Sequence, residues 1–130
     1  MTDYYLDTSV AVHAFERTPK AAAWFDAVTA DPNHQLLSSR ILRTELTRYL
    51  RRESVPVAER DTVIGHIALI DLTEGVLINA EAIQQHIRTL DAIHLASALA
   101  TGSEIVIATH DAQLREVATA LGLETIDPVA

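Results

Sequence analysis

Cysteine is absent from this 130-residue chain. Disulfides, zinc–thiolate centres and thiol nucleophiles are excluded with it. Lysine is nearly absent too: Lys20 is the only one. No pair of histidines shows the H-x-x-x-H spacing of a helical zinc site. No apolar run approaches the roughly 20 residues needed to span a bilayer. Asp3 and Asp7 stand where a secretory signal carries basic and then apolar residues. The chain therefore reads as cytoplasmic, with no membrane partner. Net positive charge is also missing. The balance is −8, which argues against coating nucleic acid by bulk electrostatics. Internal repeats and low-complexity segments are lacking as well.

Within that acidic average lies one basic ridge. Arg40, Arg43, Arg48, Arg51 and Arg52 fall between residues 40 and 52. The composition, 48% hydrophobic and 22% charged, is ordinary for a globular protein. The length fits one domain over residues 1–130.

Short apolar runs that hand over to helices recur along the chain. Residues 4–6 precede a helix at 9–15, and residues 35–38 precede an Arg-rich helix at 40–52. Residues 104–108, centred on I-V-I-A, precede a helix at 111–121. Further helices are expected at 20–30, 57–69, 80–87 and 91–100, the last stopped by Gly102–Ser103. A final strand is expected at 124–126. This alternation predicts an α/β fold: a three-layer α/β/α domain with a short, mostly parallel central sheet of four or five strands.

Ligands of such sheets sit beyond the carboxyl ends of the strands. Asp7 follows the first strand directly, and Asp111 stands just past the I-V-I-A strand. Glu45 lies inside the apolar arc formed by Ile41, Leu42, Leu46, Tyr49 and Leu50, where a carboxylate costs free energy unless paired or bound to a cation. An i,i+3 pair with Arg48 is the plain explanation of Glu45. Asp91 opens a helix that is apolar nearly all round, and a first-turn Asp also complements the helix dipole. His94, one turn on, reads as a hydrogen-bonded core residue.

Singly, no acid decides the matter. Jointly, three follow strand ends and the fourth opens a buried helix. Crowded carboxylates raise one another's pKa and are stable in ionised form chiefly around a cation. All-oxygen donors favour Mg²⁺ or Mn²⁺. Thr8, Ser9 and Thr109 supply hydroxyls to orient the carboxylates.

Four segments, Y-L-D-T-S at 5–9, R-T-E-L at 43–46, L-D-A-I-H-L-A at 90–96 and A-T-H-D at 108–111, occur in this order. They resemble the acidic motifs of the PIN-domain ribonucleases, specifically the VapC toxins of type II toxin–antitoxin systems. The resemblance covers nearly the whole chain. It implies a metal-dependent endoribonuclease whose catalytic acids are Asp7, Glu45, Asp91 and Asp111. Asp7, Asp91 and Asp111 would hold Mg²⁺ or Mn²⁺, and Glu45 would hold a water or act as general base. Ser9 and Thr109 match the family's supporting polar positions. Arg43, Arg48, Arg51 and Arg52 are candidate RNA contacts, with a solvated or antitoxin-docking face as the alternative. The resemblance further implies a homodimer and a VapB-type antitoxin whose tail fills the acidic groove. Trp24 and Phe25 read first as core and second as a partner surface. A haloacid-dehalogenase-like phosphatase or a receiver domain would need a second early Asp or a late Lys that this chain lacks. A non-catalytic acidic binding module is the remaining alternative.

Overall fold

The computed structural model describes residues 2–102 and 104–130. Five strands form one all-parallel sheet: β1 (Thr2–Leu6), β2 (His34–Ser39), β3 (Ile67–Ile70), β4 (Ile105–Ala108) and β5 (Glu124–Ile126). Their spatial order is β3-β2-β1-β4-β5. The helices are α1 (Thr8–Phe15), α2 (Pro19–Ala30), α3 (Arg40–Arg52), α4 (Asp61–Ile64), α5 (Glu74–Glu81), α6 (Thr89–Leu99) and α7 (Ala112–Ala120).

Strand alternation builds two cores from one sheet. Leu6 and Leu36 face a cluster with Val10, Phe25, Leu42, Leu46 and Val63, drawn from α1 to α4. Their neighbours Tyr5 and Leu37 face the other side, where Leu95, Ile107, Leu114 and Val117 pack from α6, β4 and α7. Three layers follow. Helix α3 is anchored by Leu42, Leu46 and Leu50, four residues apart and fully buried. Each contributes about 1.5–3 kcal/mol of burial. Trp24 packs edge-on against Tyr4 at 5.3 Å, and Phe25 is in the core, so packing accounts for this pair.

Two expected helices are reshaped. The helix expected at 57–69 is a 3₁₀ turn (Val57–Arg60), the short α4, and then the strand β3. Gly65 caps α4, and the I-A-L-I run after it is too short for periodicity to separate strand from helix. The helix expected at 80–87 ends at Glu81 instead, because it starts earlier: Thr73 caps α5 by accepting from the Val76 amide at 3.1 Å. Gly102 takes a left-handed φ of 64° after α6, while Ser103 lies outside the described residues. Helix α7 ends in a Schellman turn. The Leu123 amide bonds the Ala118 carbonyl and the Gly122 amide bonds that of Thr119, with Gly122 at φ 84°.

The strand order reverses direction at β1. The chain leaves β1 to build β2 and β3 on one side, then crosses back to place β4 on the other. The helices that follow β1 and β4 pack on opposite faces. A crevice opens at the carboxyl ends of these two strands, the usual binding place in such sheets.

Candidate active site

Asp7 is the first residue beyond β1, and its amide still bonds the Ala108 carbonyl of β4. It is the N-cap of α1 and is 3% exposed. Its carboxylate is held on both oxygens. Oδ1 accepts from the Ser9 hydroxyl at 2.6 Å and the Val10 amide at 3.2 Å, and Oδ2 accepts from the Thr109 hydroxyl at 2.5 Å. Burial pushes the Asp7 carboxyl above its ordinary pKa, and these three hydrogen bonds only partly offset that.

The supporting hydroxyls are fixed in turn. Ser9 accepts from the His110 amide and Thr109 from the Asp111 amide. Thr109 is fully buried beyond β4. The orientation of Asp7 is therefore tied to the backbone that carries Asp111.

Asp111 caps α7: its Oδ1 accepts from the Gln113 and Leu114 amides. Asp91 lies in the first turn of α6. Asp7 and Asp111 thus act as helix caps, a role that the sequence suggests in kind only for Asp91, and the same geometry brings three helix N-termini to one place. Their amide dipoles favour negative charge there.

Glu45 comes from α3 and does not pair with Arg48; among the described residues its ion-pair partner is His94. Glu45 Oε1 takes both its bonds, from the Thr8 hydroxyl at 2.7 Å and from His94 Nε2 at 2.8 Å. On the far side of the ring, the Tyr5 hydroxyl lies 2.7 Å from Nδ1. Burial holds the Tyr5 phenol above its usual pKa, so it keeps its proton beside the ring. The carboxylate of Glu45 has no proton to offer, so Nε2 donates to it. Burial raises the Glu45 pKa, but bonds from His94 and Thr8 and the charges of His94 and Arg88 outweigh it, leaving the carboxyl below its usual value.

Asp7, Glu45, Asp91 and Asp111 line one cavity of about 290 Å³ at the carboxyl end of the sheet. A larger hollow of about 480 Å³, around Thr2, Ile105 and Glu124, opens at the amino ends of the strands, away from the crevice. Lys20 is exposed on α2 and lines neither.

Among the described residues, no three Asp, Glu or His groups are gathered closely enough to hold a metal as they stand. The donor chemistry nevertheless fits a hard cation. All four acids are oxygen donors facing one cavity, and a positive group already bridges two of them: Arg88 reaches Asp91 at 3.1 Å and Asp111 at 2.8 Å.

The basic ridge divides. Arg48 and Arg52 line a second groove of about 410 Å³ that shares Thr8, Glu45 and Leu90 with the acidic cavity. Arg43 and Arg51 are exposed but do not line it. Two residues outside the expected set belong to the site. His94 was legible only as a core histidine, because its role depends on Glu45 reaching it from α3, on the opposite face of the sheet. Arg88 is the residue just before α6, one past the helix expected at 80–87. The spacing R88-T-L-D91 was its available signal. His110 points away, to Asp127 at 2.9 Å.

The model of the PIN domain family matches residues 4–120. Over 98% of its length, the chain is 33% identical to ribonuclease VapC46 of Mycobacterium tuberculosis, covering 99% of that protein. It is 28% identical to ribonuclease VapC35 of the same species, over 95% of this chain and 96% of that one. Among solved structures it resembles VapBC2 of Rickettsia felis bound to a promoter DNA fragment. The TM-score is 0.72 at 14% identity, over 97% and 98% of the two chains. It also resembles the DNA-bound VapBC of Salmonella typhimurium, with TM-score 0.71 and 19% identity over 98% and 99%.

Proposed function

The chain belongs to the PIN-domain family, in its VapC branch, and from that premise we propose that it is the toxin endoribonuclease of a type II toxin–antitoxin pair. The convergence of Asp7, Glu45, Asp91 and Asp111 from four separate elements on one cavity carries this reading.

Asp7, Asp91 and Asp111 would hold a divalent ion, Mg²⁺ or Mn²⁺. Such an ion makes water acidic enough to attack near neutral pH and offsets charge developing on the phosphate. The protein's own groups do the rest. Ser9 and Thr109 keep both oxygens of Asp7 oriented. Glu45, fixed through Oε1 by Thr8 and His94, takes the proton from the attacking water. A water oxygen bonds to phosphorus as one ester P–O bond breaks, and the leaving oxygen takes its proton from solvent. Arg48 and Arg52 hold the flanking backbone phosphates, a sequence-independent contact. Arg43 and Arg51, on the helix surface away from the groove, serve as outer contacts at most.

A VapB-type antitoxin fits the groove beside the acids, where Val12, Tyr49 and Leu90 offer apolar contact next to Arg48 and Arg52. The exposed Ile78 and Leu99 suit a homodimer. With RNA as substrate and a protein inhibitor as partner, the site of action is the cytoplasm; among the described residues no helix is long and apolar enough to cross a membrane. The test is RNA cleavage with Mg²⁺ or Mn²⁺ by wild type and Asp7→Asn. Metal-dependent cleavage lost in Asp7→Asn supports the reading, and an unchanged rate in that variant overturns it.

A further inference from the structure

Arg88 holds an unusual position among the side chains of the cavity. It is the only cation that bridges two of the four acids among the described residues. Its Nε lies 3.1 Å from Asp91 Oδ2 and its Nη2 lies 2.8 Å from Asp111 Oδ2. Asp111 Oδ1 is already committed to the N-terminal amides of α7. Oδ2 is therefore the oxygen Asp111 can offer to a ligand, and the guanidinium sits on it. The Arg88 side chain is 72% exposed, so each of its ion pairs is weak and screened by solvent. A divalent ion can displace such pairs.

The backbone of Arg88 cannot leave. It caps α6, and its carbonyl accepts from the Ala92 amide at 2.9 Å. A displaced guanidinium stays tethered at the mouth of the cavity. Its planar fork binds phosphate with the same two-pronged geometry it uses on carboxylate.

We propose that Arg88 competes intramolecularly with the divalent ion for Asp91 and Asp111 and, once displaced, becomes an RNA-phosphate ligand at the cavity mouth. The proposal rests on the metal-dependent nuclease reading and adds a coupling to it. Loading the ion frees the phosphate ligand, and a phosphate that engages Arg88 frees the acids. The two affinities are therefore raised reciprocally.

Three measurements on the full chain test this. Calorimetric titration with Mn²⁺ in the absence of RNA should give Arg88→Ala a Kd about threefold to tenfold tighter than wild type. In a Glu45→Gln background, which keeps the three metal-holding acids, the Mn²⁺-loaded protein should bind a short single-stranded RNA about tenfold more weakly when Arg88→Ala is added. The Arg88 Nε–H resonance, assigned by its absence in Arg88→Lys, should shift on Mg²⁺ addition and shift again on RNA addition. An Arg88 that merely shapes its loop would weaken both affinities on removal, so metal binding unchanged or weakened in Arg88→Ala overturns the proposal. A resonance indifferent to Mg²⁺ also overturns it. Absence of RNA cleavage by wild type would reject the nuclease reading alone, since the Mn²⁺ affinities still decide the competition.

Discussion

His94 Nε2 donates to Glu45 Oε1 across 2.8 Å, joining residues 49 positions apart. The imidazole is buried at 2% exposure and is backed by Tyr5 at 2.7 Å. It sets the carboxylate of Glu45 much as a triad aspartate sets its histidine, by orientation rather than by proton transfer of its own.

Replacing His94 with alanine removes that donor and one hydrogen-bond partner of the buried Tyr5 hydroxyl. RNA cleavage should fall by about 10- to 100-fold, with a loss of about 1–3 kcal/mol in stability. His94→Gln, which can still donate to Glu45, should recover part of the rate. Single-turnover cleavage and thermal melting check this. A rate loss fully explained by unfolding would remove His94 from the site.

Asp7→Asn should abolish cleavage and yet stabilise the metal-free fold at neutral pH. The folded state raises the pKa of Asp7, so its favourable contribution is present below the unfolded value near 3.8 and lost as pH rises through the folded value. An asparagine carries no charge and escapes that loss. Each kcal/mol gained raises Tm by about 4 °C in a chain of this size. Wild type should melt progressively lower as pH rises from about 4 towards neutrality relative to Asp7→Asn, and Mg²⁺ should narrow the gap. Parallel pH–Tm curves for the two proteins would contradict this.

Thr109→Val keeps the shape of a fully buried side chain but deletes the hydroxyl that donates to Asp7 and accepts from the Asp111 amide. The cost should be about 1–3 kcal/mol. Removing a bond that lowers the Asp7 pKa should raise it further. The apparent Mn²⁺ affinity at pH 6 should therefore fall more than at pH 8. Calorimetric titration at the two pH values is the check.

The Arg48→Ala/Arg52→Ala double variant should weaken RNA binding and reduce the slope of log K against log salt by about 0.7 for each phosphate that is no longer neutralised. Arg43→Ala should leave that slope nearly unchanged, because Arg43 stands outside the groove. Equal slopes for both variants would assign the ridge to another partner.

Local signals in the chain already determined much of this. The short apolar runs ended in Asp7 and Asp111, the amphipathic α3 carried Glu45 on its apolar arc, and the apolar α6 opened with Asp91. These are nearest-neighbour and periodic patterns, so they survive without coordinates. The lack of cysteine and of paired histidines restricted the donor chemistry to oxygen. The same locality explains what failed. I-A-L-I at 67–70 is too short to reveal its period, and the end of α5 depended on where Thr73 capped its start.

Only the tertiary structure decided which groups meet. The crossover that seats β1 between β2 and β4 brings Asp7 against Thr109, 102 positions away. Helices α3 and α6 lie on opposite faces of the sheet, and the meeting of their side chains at its carboxyl edge converted His94 from an ordinary core histidine into the partner of Glu45. The loop before α6 laid Arg88 across Asp91 and Asp111. Such pairings depend on strand order and helix placement, and no spacing along the chain encodes them.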